Sequence, residues 1–229
     1  MVLKTEPVGV DVLYTAAERD FERYEIVKDL VDECIDLALN YRQSGHPGGS
    51  RSKVHLVLAT LLSGAMRWDI RRPWLRFADR FVLSSGHTVP AVYSILAVLN
   101  ESLRARVELD ADERFAFPDA GRWALTAEWL LQLRRRGGLP GHAEMAGRTL
   151  FLKANTGPSG HGMPFAAGEA LALKLAGARR VAVLVLGRHV NPADPRSTAF
   201  LESVRAADSE GGGGWLWRGV PSASAARRQ

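Results

Sequence analysis

The 229 residues are 46% hydrophobic and 24% charged, enough apolar material for one sizeable core, so one main domain is expected. Lys and Arg number 30 against 25 Asp and Glu, a formal net charge of +5, but the basic residues fall in short clusters at 71–72, 134–136, 179–180 and 227–228. Without interleaved aromatics or an RNA-binding signature, these clusters argue against nucleic acid and for a solvated surface that attracts phosphorylated small molecules. No apolar run reaches the roughly 18 residues of a membrane helix, and the first residues lack the basic-then-apolar order of a secretion leader. A soluble, cytoplasmic protein without membrane contact is expected, and the single Cys34 fits a reducing compartment as a buried, inert thiol.

Residues 1–23 read as a loosely packed arm. Over residues 24–41, Ile26, Val27, Leu30, Val31, Cys34, Ile35, Leu37 and Ala38 recur at three- and four-residue intervals, which predicts an amphipathic helix facing a core. Pro47 and its neighbouring glycines break it, and Ser50 or Ser52 is the expected cap of a second helix running to about Met66. The short apolar run at 80–84 predicts a buried parallel strand, followed by a loop at 85–88 and a helix with Pro90 in its first turn that ends near Arg106. A further helix is expected over 126–135, closed by Gly137 and Gly138, then a tightly packed one over 164–175. Residues 181–186 form the clearest strand. Strands separated by helices predict an α/β fold, an open, mainly parallel sheet flanked by helices, with its site at the carboxyl ends of the strands.

Three histidines stand beside glycines in expected loops: Gly45-His46-Pro47, Gly86-His87 and Gly141-His142. A fourth loop, Thr156-Gly157-Pro158-Ser159-Gly160-His161-Gly162, follows the same plan. Glycine lets backbone approach a ligand closely, and imidazole donates, accepts and titrates near neutrality, so the set suits proton transfers on a polar substrate. Neither H-E-x-x-H nor C-x-x-C spacing is present, and the glycine loop is neither a Walker loop nor a dinucleotide fingerprint. A zinc site assembled by folding from separate loops stays open at this point.

Taken together, SGHPGGSRSKVHLVLATLL, DRFVLSSGHTVPAVYSIL, PGHAEMAG, NTGPSGHGMPFAAGEALALKLAG and VAVLVLG resemble successive motif blocks of the transketolase family, in that family's order and at similar spacing. The resemblance covers residues 24–187 and implies the family's N-terminal, diphosphate-binding domain. It implies that His46, His87 and His142 surround the reactive carbon of thiamine diphosphate and the donor sugar. Gly157, Pro158, Gly160, His161 and Gly162 would lie against the cofactor, although His161 stands where many members have glutamine. Arg51 and Lys53 are candidates for steering an anionic substrate, with ordinary surface charge as the alternative. The implied chemistry is transfer of a two-carbon ketol unit between sugar phosphates, with Mg2+ or Ca2+ at the diphosphate.

The resemblance also marks what departs from it. The family's activating glutamate belongs to a second domain not recognisable here, so a C-terminal transketolase subunit or a homo-oligomer is the expected partner. After Gly187 the family continues with an acidic metal ligand, whereas this sequence has Arg188, which cannot ligate a cation. The metal site therefore reads as lost; Asn191 and Asp194 do not restore the spacing, and Glu169 reads as a surface or helix-pairing residue. Residues 188–229 lose periodicity and read as a divergent, disordered tail, either genuine or the product of a frame or gene-boundary error. An inactive fragment or a non-catalytic interaction module that keeps the scaffold is the alternative to an enzyme.

Overall fold

In a computed structural model of the chain, the described residues are Thr15, 18–178, Val181 and 183–186. The expected tail at 188–229, with Arg188, Asn191 and Asp194, lies outside them, as does most of the arm. Helix α1, Phe21–Arg42, starts inside the expected arm and closes on Gln43, whose left-handed backbone (φ 49°) lets its N–H reach the last carbonyls. Only part of its apolar stripe meets the core: Val31, Ile35, Ala38 and Leu39 are buried, while Ile26, Leu30 and Leu37 are exposed. Cys34 is half-buried, and burial pushes its thiol upward, away from the reactive thiolate.

Two expectations about the next segment change. Pro47 does not merely break the chain but opens a short helix, α2 (Pro47–Arg51), because its fixed φ suits a first turn. Ser50 therefore lies inside α2, and neither serine caps α3 (Val54–Leu62), whose N-cap is Lys53; the Ser52 hydroxyl instead donates to the Gly49 carbonyl at 3.2 Å. Strand β1 (Arg80–Leu83) follows, then a single 3-10 turn (Gly86–Thr88), then α4 (Val89–Asp110), one turn longer than expected. Residues 89–98 of α4 are all buried, which makes it the central helix.

Helices α5 (Ala120–Trp123) and α6 (Ala127–Leu130) are short. The helix expected over 126–135 stops at Leu130 because Arg134 takes positive φ (56°) and its N–H turns to the Leu139 carbonyl at 2.7 Å. Helix α7 (Gly162–Leu175) begins two residues early, and its packing is looser than expected: Leu171 and Leu175 are exposed.

Strand β2 (Val183–Leu186) pairs in parallel with β1, from Arg80 opposite Val183 to Leu83 opposite Leu186. On the other edge of β1, Leu152 bridges Phe81 in parallel, and the Lys153 N–H donates to the Phe81 carbonyl at 2.9 Å. The period-two alternation of a strand divides β1 between two cores. Phe81 and Leu83 join the main cluster under α1, α3 and α4, whereas Val82 packs with Ala154 and Ala166 beneath α7. Helices thus cover both faces of a small parallel sheet, the α/β arrangement expected, and all connections leave β1 and the 152–156 segment toward one end.

Candidate functional site

At the carboxyl end of β1 the chain runs through Ser84 and Ser85 into the Gly86–Thr88 turn. Thr88 holds that turn twice, its N–H and its Oγ1 each donating to the Ser85 carbonyl at 2.8 Å. Gly86 is required here by contact: a Cβ would lie 2.0 Å from the Thr156 carbonyl oxygen, so the His87 turn rests directly on the backbone of the fourth loop. Thr156 joins the parts, since its Oγ1 donates to the Leu83 carbonyl and its N–H donates to the Ala143 carbonyl at 3.0 Å. Gly162 is equally constrained, a Cβ there falling 2.8 Å from Ser84 Cα, and the Gly160 N–H donates to the Ser84 carbonyl at 3.1 Å. The first turn of α7 is thereby pressed onto the end of β1.

These contacts gather the loops that sequence spacing keeps far apart. The rings of His46 and His87 have centroids 4.9 Å apart, tilted by 58°. Gly49 makes room for this approach, with a Cβ position 3.2 Å from Thr88 Cγ2 and 3.7 Å from His46 Cβ. His142 reaches the same region from the other side: a Cβ on Gly157 would lie 3.8 Å from its Cδ2, and its carbonyl accepts from the Tyr93 hydroxyl at 3.3 Å. Burial pushes the Tyr93 phenol upward, so it stays protonated and can donate. His87 is half-buried, while His46, His142 and His161 are exposed. His161 is the N-cap residue of α7 without a side-chain capping bond, and Pro158 is exposed beside it.

The chemistry that this end of the sheet offers is anion binding with proton donors nearby. Helix α7 has 14 residues, and its first N–H groups and dipole face the turn after β1. Ser84 and Ser85 are 1% exposed and Ser50 0%, and their side-chain oxygens have no hydrogen-bond partner among the described residues. Ser84 lies under the first turn of α7, where a Cβ on Gly162 would fall 3.0 Å from its Cβ. Among the described residues no three His, Cys, Asp or Glu side chains gather as a metal-holding group.

Arg51, Lys53 and Glu169 each have a partner, and Arg51 is an exposed surface charge. Arg51 is held by Asp36 at 3.1 Å and Asp32 at 3.7 Å, bracing α2 against α1, and Lys53 Nζ donates to the Gly49 carbonyl at 2.9 Å. Both are engaged in holding the His46 loop. Glu169 is neither on the surface nor in a helix pair but half-buried against β1, ion-paired with Arg80 at 3.0 Å; burial outweighs that pairing and raises its carboxyl. Ser84 and Tyr93 lie outside the loops that the sequence singles out, and Ser85, Thr88 and Thr156 lie within the expected loops without a role assigned to them. The only local signal for them is a pair of serines directly after an apolar strand.

No protein-family model matches the chain. It is 36% identical over 132 residues to a 6-deoxy-6-sulfo-D-fructose transketolase subunit of Clostridium sp. (strain MSTE9), covering 57% of this chain and 39% of that one. It is 32% identical over 146 residues to the chloroplastic transketolase-1 of Arabidopsis thaliana, covering 62% of this chain and 16% of that protein. The chain therefore spans well under half the length of these curated relatives. In fold it is similar to a crystal structure of transketolase from Pichia stipitis, with a TM-score of 0.54 and 24% identity, over 77% of this chain and 24% of the other. The proteins that this chain resembles, in sequence and in fold, are transketolases.

Proposed function

We propose that residues 24–187 are the N-terminal, diphosphate-binding part of a transketolase-like enzyme, which moves a two-carbon ketol unit between sugar phosphates and completes its site with a C-terminal partner chain or a second copy. The observation that carries this reading is the meeting of His46, His87 and the His142–Gly157 contact at one end of β1. The Clostridium relative is named a subunit and its substrate is an anionic sugar, which supports both the split architecture and the substrate class. No helix among the described residues is long and apolar enough to cross a membrane.

When bound, thiamine diphosphate supplies a nucleophilic carbon and an electron sink. The chain's own part is to hold and to move protons. The N-terminus of α7, with Gly160, His161 and Gly162, and the hydroxyls of Ser84 and Ser85 would hold the diphosphate, while Gly157 and Pro158 would border the aminopyrimidine. His46, His87 and His142 would hydrogen-bond the donor's hydroxyl and carbonyl oxygens and shuttle a proton as the carbon–carbon bond breaks. The Mg2+ or Ca2+ that accompanies the diphosphate in the family would take ligands from outside the described residues, and no step here depends on it. One observation favours a second reading, a non-catalytic chain: Arg188 stands where a metal-binding carboxylate is expected.

Titration calorimetry with thiamine diphosphate and Mg2+, in the presence of a C-terminal transketolase half, separates the two readings. The enzyme reading expects saturable, magnesium-dependent heat. Absence of heat from a complex that has formed sinks it and leaves the non-catalytic reading.

A further inference from the structure

We propose that Arg134 is a positioning residue that straps the His46 loop to the His142 loop; the inference rests on the three-histidine reading above. Four non-glycine residues among those described have positive φ. Gln43 and Ala111 close helices and Asp119 opens one, but Arg134, at 56°, lies at no helix end. Its conformation is imposed by a tight turn: its own N–H donates to the Leu139 carbonyl at 2.7 Å, and the Leu139 N–H returns to the Gln132 carbonyl at 3.1 Å. Gly138 permits that return, since a Cβ there would sit 2.1 Å from the Gln132 oxygen. Strain of this kind in an exposed residue persists where the surroundings over-determine it, and here it aims a long side chain.

The side chain spans both loops. A Cβ on Gly141, the residue before His142, would fall 2.6 Å from Arg134 Nε and 2.9 Å from its Cγ, so the stem lies flat on that backbone. At its far end Nη1 donates to the hydroxyl of Ser44, two residues before His46 and 90 positions away in the chain. Arg135 repeats the link one residue on, with Nη2 donating to the Tyr41 hydroxyl at 3.1 Å and its guanidinium 5.5 Å from the Tyr41 ring centroid. Among the described residues no direct hydrogen bond joins the two loops. An exposed arginine that bridges two site loops acts on the histidines through their backbones, without touching substrate itself.

The test uses the full chain without cofactor or turnover: thermal melts together with the 1H–15N side-chain resonances of the histidines, for Arg134→Gly, Arg134→Lys and Ser44→Ala. Glycine tolerates φ 56°, so Arg134→Gly is expected to melt at the same or a higher temperature while the His46 and His142 rings shift or broaden. His55, paired with Glu25 at 2.6 Å, and His161 serve as unmoved controls. Ser44→Ala is expected to disturb the same two rings, and Arg134→Lys to restore them in part. Unmoved His46 and His142 rings in Arg134→Gly overturn the proposal, as does a lower melting temperature with every ring shifting, the mark of an ordinary structural arginine. Because nothing here requires thiamine diphosphate, its failure to bind would leave this result standing.

Discussion

The two ends of β1 treat buried polar groups differently. At the amino end, most charges are answered by the protein: Asp79 accepts from the Arg67 N–H at 2.8 Å and its guanidinium at 3.0 Å, Lys153 Nζ donates to the carbonyls of Pro73 and Leu150 at 2.6 and 2.7 Å, and Arg80 is ion-paired with Glu169 at 3.0 Å, although Arg80 Nε and Glu169 Oε2 are buried without a hydrogen-bond partner among the described residues. At the carboxyl end, the Ser84 and Ser85 hydroxyls are equally buried and have no partner among the described residues, beside three histidines and four glycine-bearing loops. The amino end is closed and structural. The carboxyl end holds its backbone tightly and carries uncharged buried hydroxyls beneath the histidine loops, where the amino end carries buried charges.

The sharpest way to break this contrast is at Gly86. An added methyl meets the Thr156 carbonyl, so Gly86→Ala should cost about 3 kcal/mol or prevent folding, read as a lower urea midpoint. His87→Ala should spare stability, because the ring is only half-buried, yet lower ketol transfer in a reconstituted complex about 100-fold. Unchanged turnover would remove His87 from the mechanism.

The amino end should respond to pH instead. Burial, reinforced by the charge of Arg80, lowers the Lys153 ammonium from 10.5 to about 8. Between those values the unfolded chain binds more protons than the folded one, so stability should rise with pH through that window. The gain from pH 8 to 10 is on the order of 2 kcal/mol, and Lys153→Met should abolish it in urea unfolding at a series of pH values. A profile that keeps the same slope in the variant would show that Lys153 is not the source. Smallest of all, Ser84→Ala removes an oxygen with no partner among the described residues and should change stability by less than about 0.5 kcal/mol, while weakening thiamine diphosphate binding by roughly 1 kcal/mol. A large loss of stability would place Ser84 with the closed end.

Much of this was legible in the sequence for local reasons. The heptad-like spacing from Ile26 to Ala38 and the apolar runs at 80–84 and 181–186 are signals carried by adjacent residues, and each became the expected element. His46, His87 and His142 were singled out because glycine beside histidine marks backbone brought close to something. What brings them together was not legible, because Gly86 on Thr156 and Tyr93 on His142 are contacts across 70 and 49 positions. The false helix over 131–135 has a different origin: good helix formers yielded to a tight turn closed by hydrogen bonds between Arg134, Leu139 and Gln132 that Gly138 permits. Glu169 was misread because nothing near it in sequence announces Arg80.

The most direct measurement of the central claim is the histidine side-chain 1H–15N spectrum of the full chain, with a C-terminal half present, titrated with thiamine diphosphate and Mg2+. The account predicts that His46, His87 and His142 move together and saturate at one ligand concentration while His55, paired with Glu25 on α1, stays still. Rings that do not move, or a His55 that moves with them, would contradict a site at the carboxyl end of β1.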